Sequence, residues 1–254
     1  KHRFGIAAAS LNTDQTDEEN DAARAAALAG QLKILFVAPE QLDNLHTQAL
    51  LARLAVDLLV VDEAHCISTW GHDFRPSYRQ IVRAVRAFSQ RRPQLRVLGL
   101  TATADARTEA DIAAQLTDGP GNPVQVLRSG MDRPNLALAV HQVRGHAEKL
   151  DWLAEQLRLW PGSGILYCAT RENTVLVADW LSHRGLTVAA YHAGFAPERK
   201  RELQASFLAG DFKAIAATNA LGMGIDKADV RFIVHVDMPG SITAYYQEVG
   251  RAGR

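Results

Sequence analysis

Leu58-Leu-Val-Val-Asp-Glu-Ala-His65 is the stretch on which the fold turns. Four apolar residues in a row, stopped by two carboxylates, describe a short strand buried on both faces that delivers Asp62 and Glu63 at its C-terminal end. That end is where parallel α/β sheets place their ligands. Similar runs lie on either side: Ile34-Leu-Phe-Val37, Val97-Leu-Gly-Leu100, Gly164-Ile-Leu-Tyr-Cys168, Val188-Ala-Ala-Tyr191, Ala214-Ile-Ala-Ala217 and Phe232-Ile-Val-His-Val236. Amphipathic stretches separate them. Residues 148–160 place Leu150, Leu153, Leu157 and Trp160 on one stripe before Pro161-Gly162. Residues 173–183 turn Val177, Ala178 and Leu181 inward, and Pro197 and Gly210 bracket a third helix. The alternation predicts doubly wound, mainly parallel sheets. The pattern weakens at Gly119-Pro-Gly-Asn-Pro123 and Met131-Asp-Arg-Pro-Asn135, which divides the chain into domains 1–130 and 131–254.

Composition narrows the classes. The 254 residues are 47% hydrophobic, enough for packed cores, and 28 basic residues balance 28 acidic ones, so net charge points to no polyanionic partner. Arginines crowd positions 79–96 and carboxylates positions 14–21; both runs read first as solvated helix faces. Two distant cysteines, Cys66 and Cys168, make a disulfide framework or a zinc site unexpected within this segment. No leader-like or membrane-spanning apolar run is visible, and a reducing compartment is the expectation.

An Asp-Glu pair at a strand end suits phosphoryl transfer: Asp62 to hold Mg²⁺ through its water shell, Glu63 to orient and polarise the attacking water. The residues that follow, Cys66-Ile-Ser-Thr-Trp70-Gly-His72-Asp73-Phe74-Arg75-Pro76-Ser-Tyr78, offer aromatic faces for unpaired bases and cations for phosphates. This string closely resembles the aromatic-rich loop of RecQ-type, superfamily 2 DNA helicases. The same resemblance continues in family order through Leu100-Thr-Ala-Thr-Ala104 (motif III), Asp132-Arg-Pro-Asn-Leu136, Ile165-Leu-Tyr-Cys-Ala-Thr170-Arg171 (motif IV) and Tyr191-His192-Ala-Gly194. Ala217-Thr218-Asn-Ala-Leu-Gly222-Met-Gly224-Ile-Asp226-Lys227 resembles motif V, and Tyr245-Tyr-Gln247-Glu-Val-Gly250-Arg251-Ala-Gly253-Arg254 resembles motif VI. Met131, Thr170 and Leu221 depart mildly from family habit.

The resemblance implies two RecA-like domains, the first truncated at its N-terminus, and an ATP-driven, 3′-to-5′ DNA-unwinding motor active in repair, recombination and replication. It assigns Asp62, Glu63, Gln247, Arg251 and Arg254 to catalysis, with the two arginines as finger candidates. Asp62, His65, Thr101, Gly224 and Asp226 fall to ATP, and the hydroxyls of the Thr101-Ala-Thr103 strand end are expected to bond the Asp-Glu pair and sense the γ-phosphate. Trp70, His72, Phe74, Arg75, Thr170, Arg171, His192 and Thr218 fall to DNA; core packing is an equal reading for His192. Expected cofactors are ATP and Mg²⁺, with zinc only in a domain outside this chain. Expected partners are single-stranded and partly duplex DNA, with single-strand-binding protein through further regions, and no membrane. The expected location is the bacterial nucleoid or a eukaryotic nucleus. No G-x-x-x-x-G-K-[ST] phosphate loop occurs; Gly5-Ile-Ala-Ala-Ala9 resembles the segment after motif Ia, which places that loop upstream. The chain alone is therefore expected to lack turnover, and its first domain to expose apolar edges and be the less well folded. An ATP-independent nucleic-acid-binding remnant and a superfamily 2 RNA helicase are the competing readings.

Overall fold

A computed structural model describes residues 5–13, 15–69, 75–117, 124–130, 133–221 and 227–253. It divides into two compact units, Lys1–Arg128 and Ser129–Arg254. In the first, the elements run β1 (Ala8–Leu11), α1 (Asp17–Leu28), β2 (Ile34–Val37), α2 (Leu45–Arg53), β3 (Leu58–Val61), α3 (Tyr78–Arg91), β4 (Arg96–Gly99) and α4 (Ala106–Leu116). The second holds α5 (His146–Leu159), β5 (Ser163–Tyr167), α6 (Arg171–His183), β6 (Val188–Tyr191), α7 (Pro197–Ala209), β7 (Ala214–Ala217), β8 (Val230–His235) and α8 (Ile242–Val249).

All strand pairing is parallel, as the apolar runs predict. In the second unit one sheet has the order β6-β7-β5-β8. Leu166, Ala214 and Ala216 face α5 and α6, where Leu153, Leu157, Val177 and Leu181 are buried against them. Ile165, Tyr167, Ile215 and Ala217 face the other way and meet Leu203 and Phe207 of α7. Both faces are covered, which is what a continuous apolar strand requires. Helix ends follow their sequence signals: Thr170 Oγ1 accepts from Asn173 N–H at 3.1 Å, Pro197 opens α7, and Gly210 closes it at φ +91°.

The first unit departs from the expectation. Its strands form two separate pairs, β1-β2 and β3-β4, and are not buried on both faces. Leu35 and Val37 pack under α1 and α2, while Leu59, Val61 and Val97 pack under α3 and α4. The alternate residues Ile34, Phe36, Leu58, Val60 and Leu98 are exposed. Among the described residues, helices cover one face of each pair only, so the period-two geometry of a strand leaves every second side chain to solvent.

Candidate functional site

In the first unit the site forms at the C-terminal ends of β3 and β4. Asp62 is exposed, and its Oδ1 accepts from the Glu63 N–H at 2.9 Å. Glu63 adopts φ 49° and ψ 45°, the only non-glycine residue at positive φ among those described. The chain then enters a 3-10 turn, Ala64–Ile67, whose first amide donates to Leu100 O at 2.8 Å, while Leu100 N–H donates to Val61 O at 2.8 Å. This tight crossover between neighbouring strand ends is what bends Glu63 into the left-handed region.

His65 is buried, with Nδ1 lying 3.0 Å from Thr101 Oγ1 and 3.4 Å from Glu63 Oε2. Thr101 O–H donates to Thr103 O at 3.1 Å, so its oxygen is left to accept from His65 Nδ1–H. The Thr101 hydroxyl thus bonds His65 and Thr103 rather than the Asp-Glu pair, which differs from the expectation for motif III. His65 Nδ1 stands between the β4 strand end and the Glu63 carboxylate.

Trp70, His72 and Phe74 of the aromatic stretch lie outside the described residues, but both stems of their loop are visible. Arg75 N–H donates to Cys66 O at 3.2 Å and closes the base. Ser68 Oγ donates to Asp111 Oδ2 on α4 at 2.6 Å, and Asp111 Oδ1 accepts from Gln115 at 3.0 Å. The buried Tyr78 stands behind the carboxylates. Its phenol is pushed up to about 12, chiefly by burial and then by Cys66, with Glu63 and Asp62 adding to the rise and Arg75 opposing it. Sequence reasoning quoted Tyr78 without giving it a role and missed Ser68 and Asp111; a single Ser–Asp pair 43 residues apart leaves no pattern to find.

In the second unit, four assigned residues lie along the C-terminal edge of three adjacent strands. Thr170 and Arg171 follow β5, His192 follows β6, and Thr218 follows β7. Thr170 caps α6, so its hydroxyl is engaged. Thr218 is buried, and its Oγ1 accepts from Ala220 N–H at 3.4 Å. His192 stacks on Phe195 with ring centroids 3.9 Å apart, and its Nδ1 accepts from Gly194 N–H at 3.2 Å. A Cβ at Gly194 would lie 3.1 Å from both Arg171 Nη1 and His192 Nδ1, so glycine keeps this edge open. Asp237, after β8, fixes the loop that follows β5 by accepting from Ala169 N–H at 2.9 Å and Asn173 Nδ2 at 2.6 Å.

Gln247 and Arg251 are half-buried on α8 and the turn after it; Arg254, Gly224 and Asp226 lie outside the described residues. The Tyr167 phenol is pushed up to about 12 by burial, and the guanidinium of Arg251 beside it opposes the rise. Arg251 Nε is buried with no hydrogen-bond partner among the described residues. Two links hold this motif. His235 Nε2 lies 2.8 Å from Glu248 Oε2 and stacks on Tyr167. Arg133 Nη2 donates to the carbonyls of Ala252 and Gly253 at 3.0 and 3.3 Å, and Asn135 Nδ2 donates to Gly253 O at 2.6 Å. Gly253 sits at φ +68°, where an added Cβ would come within 2.6 Å of Asn135 Nδ2. The Arg-Pro-Asn-Leu segment, read from sequence as a domain entry, is thus a clasp on the arginine-bearing turn. The described residues hold no cluster of three or more metal-ligating side chains and no helix long and apolar enough to cross a membrane.

Residues 1–112 match the family model described as DEAD/DEAH box helicase, and residues 148–254 match the helicase conserved C-terminal domain. The fold is likewise similar to yeast Dbp5 bound to RNA and ADP BeF3, with TM-score 0.72 and 19% identity over 98% of this chain and 61% of that one. Mycobacterium smegmatis Lhr bound to ssDNA and AMP-PNP superposes with TM-score 0.71 and 21% identity, covering 97% of this chain and 33% of that one. Two RecA-like units with carboxylates, hydroxyls and arginines at their strand ends define the superfamily 2 helicase class. Relatives resolve it further. ATP-dependent DNA helicase RecQ of Pasteurella multocida is 38% identical over 98% of this chain and 38% of its own length. RecQ of Bacillus subtilis is 36% identical over 98% and 41%, and the RecQ-like DNA helicase BLM of Xenopus laevis 37% over 98% and 18%. The chain belongs to the RecQ family, and it spans about two-fifths of the length of the bacterial relatives it matches.

Proposed function

We propose that this chain is the motor portion of an ATP-dependent DNA helicase that moves 3′-to-5′ on single-stranded DNA and unwinds duplexes. The observation that carries the reading is Glu63. Its strained backbone places a carboxylate beside buried His65, directly ahead of the Ser68 stem that Asp111 holds. Asp62 fits Mg²⁺: it is exposed, and its carboxylate accepts one hydrogen bond, through Oδ1. When bound, the metal neutralises phosphate charge. Glu63 orients the attacking water and takes its proton, and His65, held by Thr101, keeps that carboxylate in place. Arg251 and Arg254 are the candidates to stabilise charge on the transferring phosphate. Trp70 and Phe74 would stack bases, and strand binding would be felt at Glu63 through the short Cys66–Ser68 stem. DNA repair, single-strand-binding protein as a partner, and a nucleoid or nuclear location go with this reading.

The test is made in a chain that includes a phosphate-binding loop. Glu63→Gln should still bind nucleotide while DNA-stimulated phosphate release falls by about 10²-fold or more. Trp70→Ala and Phe74→Ala should lose stimulation by DNA while keeping basal turnover. Full turnover in Glu63→Gln would remove the assigned role of that residue; full stimulation in both aromatic variants would remove the coupling.

A further inference from the structure

The outer side of α3 carries a chemistry that the motor site does not use. Tyr78, Val82, Val85 and Phe88 form its buried face. Arg79, Arg83 and Arg86, spaced four and three residues apart, fall on one exposed stripe beside it, and Arg91, on the neighbouring row, adds a further exposed cation at the helix end. The helix contains no acidic residue. Arg83 bonds Gln80 at 3.2 Å, and among the described residues no carboxylate pairs with Arg83, Arg86 or Arg91. Arg92 is different, since Asp57 takes it at 3.2 Å.

Like charges three and four residues apart weaken a helix. A stripe of them is tolerated where a counter-charge arrives from outside. The side chains are arginines, whose planar forks pair with phosphate oxygens. Between them the exposed face offers Gln90 and Ala87 and no large apolar residue, so it lacks the apolar centre of a protein interface. From Arg83 to Arg91 these arginines span about 12 Å along the helix axis, room for three phosphates at about 3.4 Å of rise per nucleotide in a duplex strand. We infer that this face of α3 binds the phosphodiester backbone of DNA without regard to sequence, as a track separate from the aromatic loop that precedes the helix. The choice of DNA among polyanions rests on the helicase reading above.

The test measures binding of short labelled single-stranded and duplex DNA to the 254-residue chain across a salt series. The variant R83Q/R86Q/R91Q, with an unchanged thermal midpoint, should bind at least tenfold more weakly at low salt. Its log K against log salt slope should be shallower by about 2 for single strands and by about 2.7 for duplex if all three arginines meet phosphates. R83K/R86K/R91K should recover most of the slope. A loss confined to one DNA form identifies which form rides the track. Three results overturn the inference: an unchanged slope in the glutamine variant, no recovery by lysine, or stronger competition by polyglutamate than by DNA. If the unsubstituted chain binds no DNA at all, the helicase reading falls as well; if it binds and the glutamine variant binds equally, only the track falls.

Discussion

Glu63 holds a conformation that the Cβ of an L residue resists, at a cost of about 1–2 kcal/mol. The neighbouring hydrogen bonds, Ala64 N–H to Leu100 O and Leu100 N–H to Val61 O, impose it. Strain of this kind persists where the surroundings over-determine the backbone. Glycine at this position would adopt the same angles freely. Glu63→Gly should therefore be more stable than Glu63→Ala by about 1 kcal/mol, although both lose the carboxylate. Chemical denaturation of the two variants measures this, and equal midpoints would show that position 63 is not left-handed in solution. The carboxylate pair was legible in the sequence because two acids interrupt an apolar run. The backbone angle was not, since glutamate gives no sign of it. Thr101 was legible as a site residue, but its partner was not: which of two nearby groups a hydroxyl reaches depends on distances of tenths of an ångström.

At the scale of elements, the strands and the helices α5, α6 and α7 lie close to where apolar period and cap residues place them. α8 is of another kind. No residue on it is fully buried, and polar links supply its hold. His235 and Glu248 meet with side chains 14% and 12% exposed, so a broken pair leaves a nearly buried carboxylate unpartnered. His235→Phe keeps a ring against Tyr167 and Tyr245 but removes the nitrogen. Amide exchange across residues 242–250 should then quicken by the equivalent of about 1–3 kcal/mol, with β5 and β7 unaffected. Unchanged protection of α8 would mean that packing alone holds the motif VI helix. The polar links were invisible in sequence because residues 133 and 135 belong to a segment with no hydrophobic period of its own, and the apolar run around His235 shows a strand but not what the imidazole meets.

At the scale of the whole molecule, the two units differ in how much of their apolar surface they cover. β5 and β7 are fully buried, whereas Phe36 is 61% exposed and Leu58 51%. Ile-Leu-Phe-Val reads the same in sequence whether one face is covered or two, which is why that difference was not legible in the strand pattern itself. Exposed apolar strand faces predict a weaker first unit. Trp152, Trp160 and Trp180 all lie in the second unit, so Trp70→Phe makes tryptophan emission a reporter of that unit alone. On heating, helical circular dichroism of this variant should begin to fall before the emission changes. Coincident transitions would show that the units unfold as one.

The clasp of Arg133 and Asn135 on Ala252 and Gly253 joins positions 118 to 120 residues apart. Closing a loop of that length costs more entropy than closing any strand–helix–strand crossover within the sheet, because the cost rises with the logarithm of the number of residues enclosed. The arginine-bearing turn is therefore expected among the last parts of the second unit to assemble, onto the sheet beneath it. Contacts made after the folding barrier leave the speed of folding nearly untouched and act instead as a latch on the way out. On that order of assembly, the part of the chain assigned to meet the transferring phosphate is the part expected to release and re-seat first, with the sheet beneath it intact.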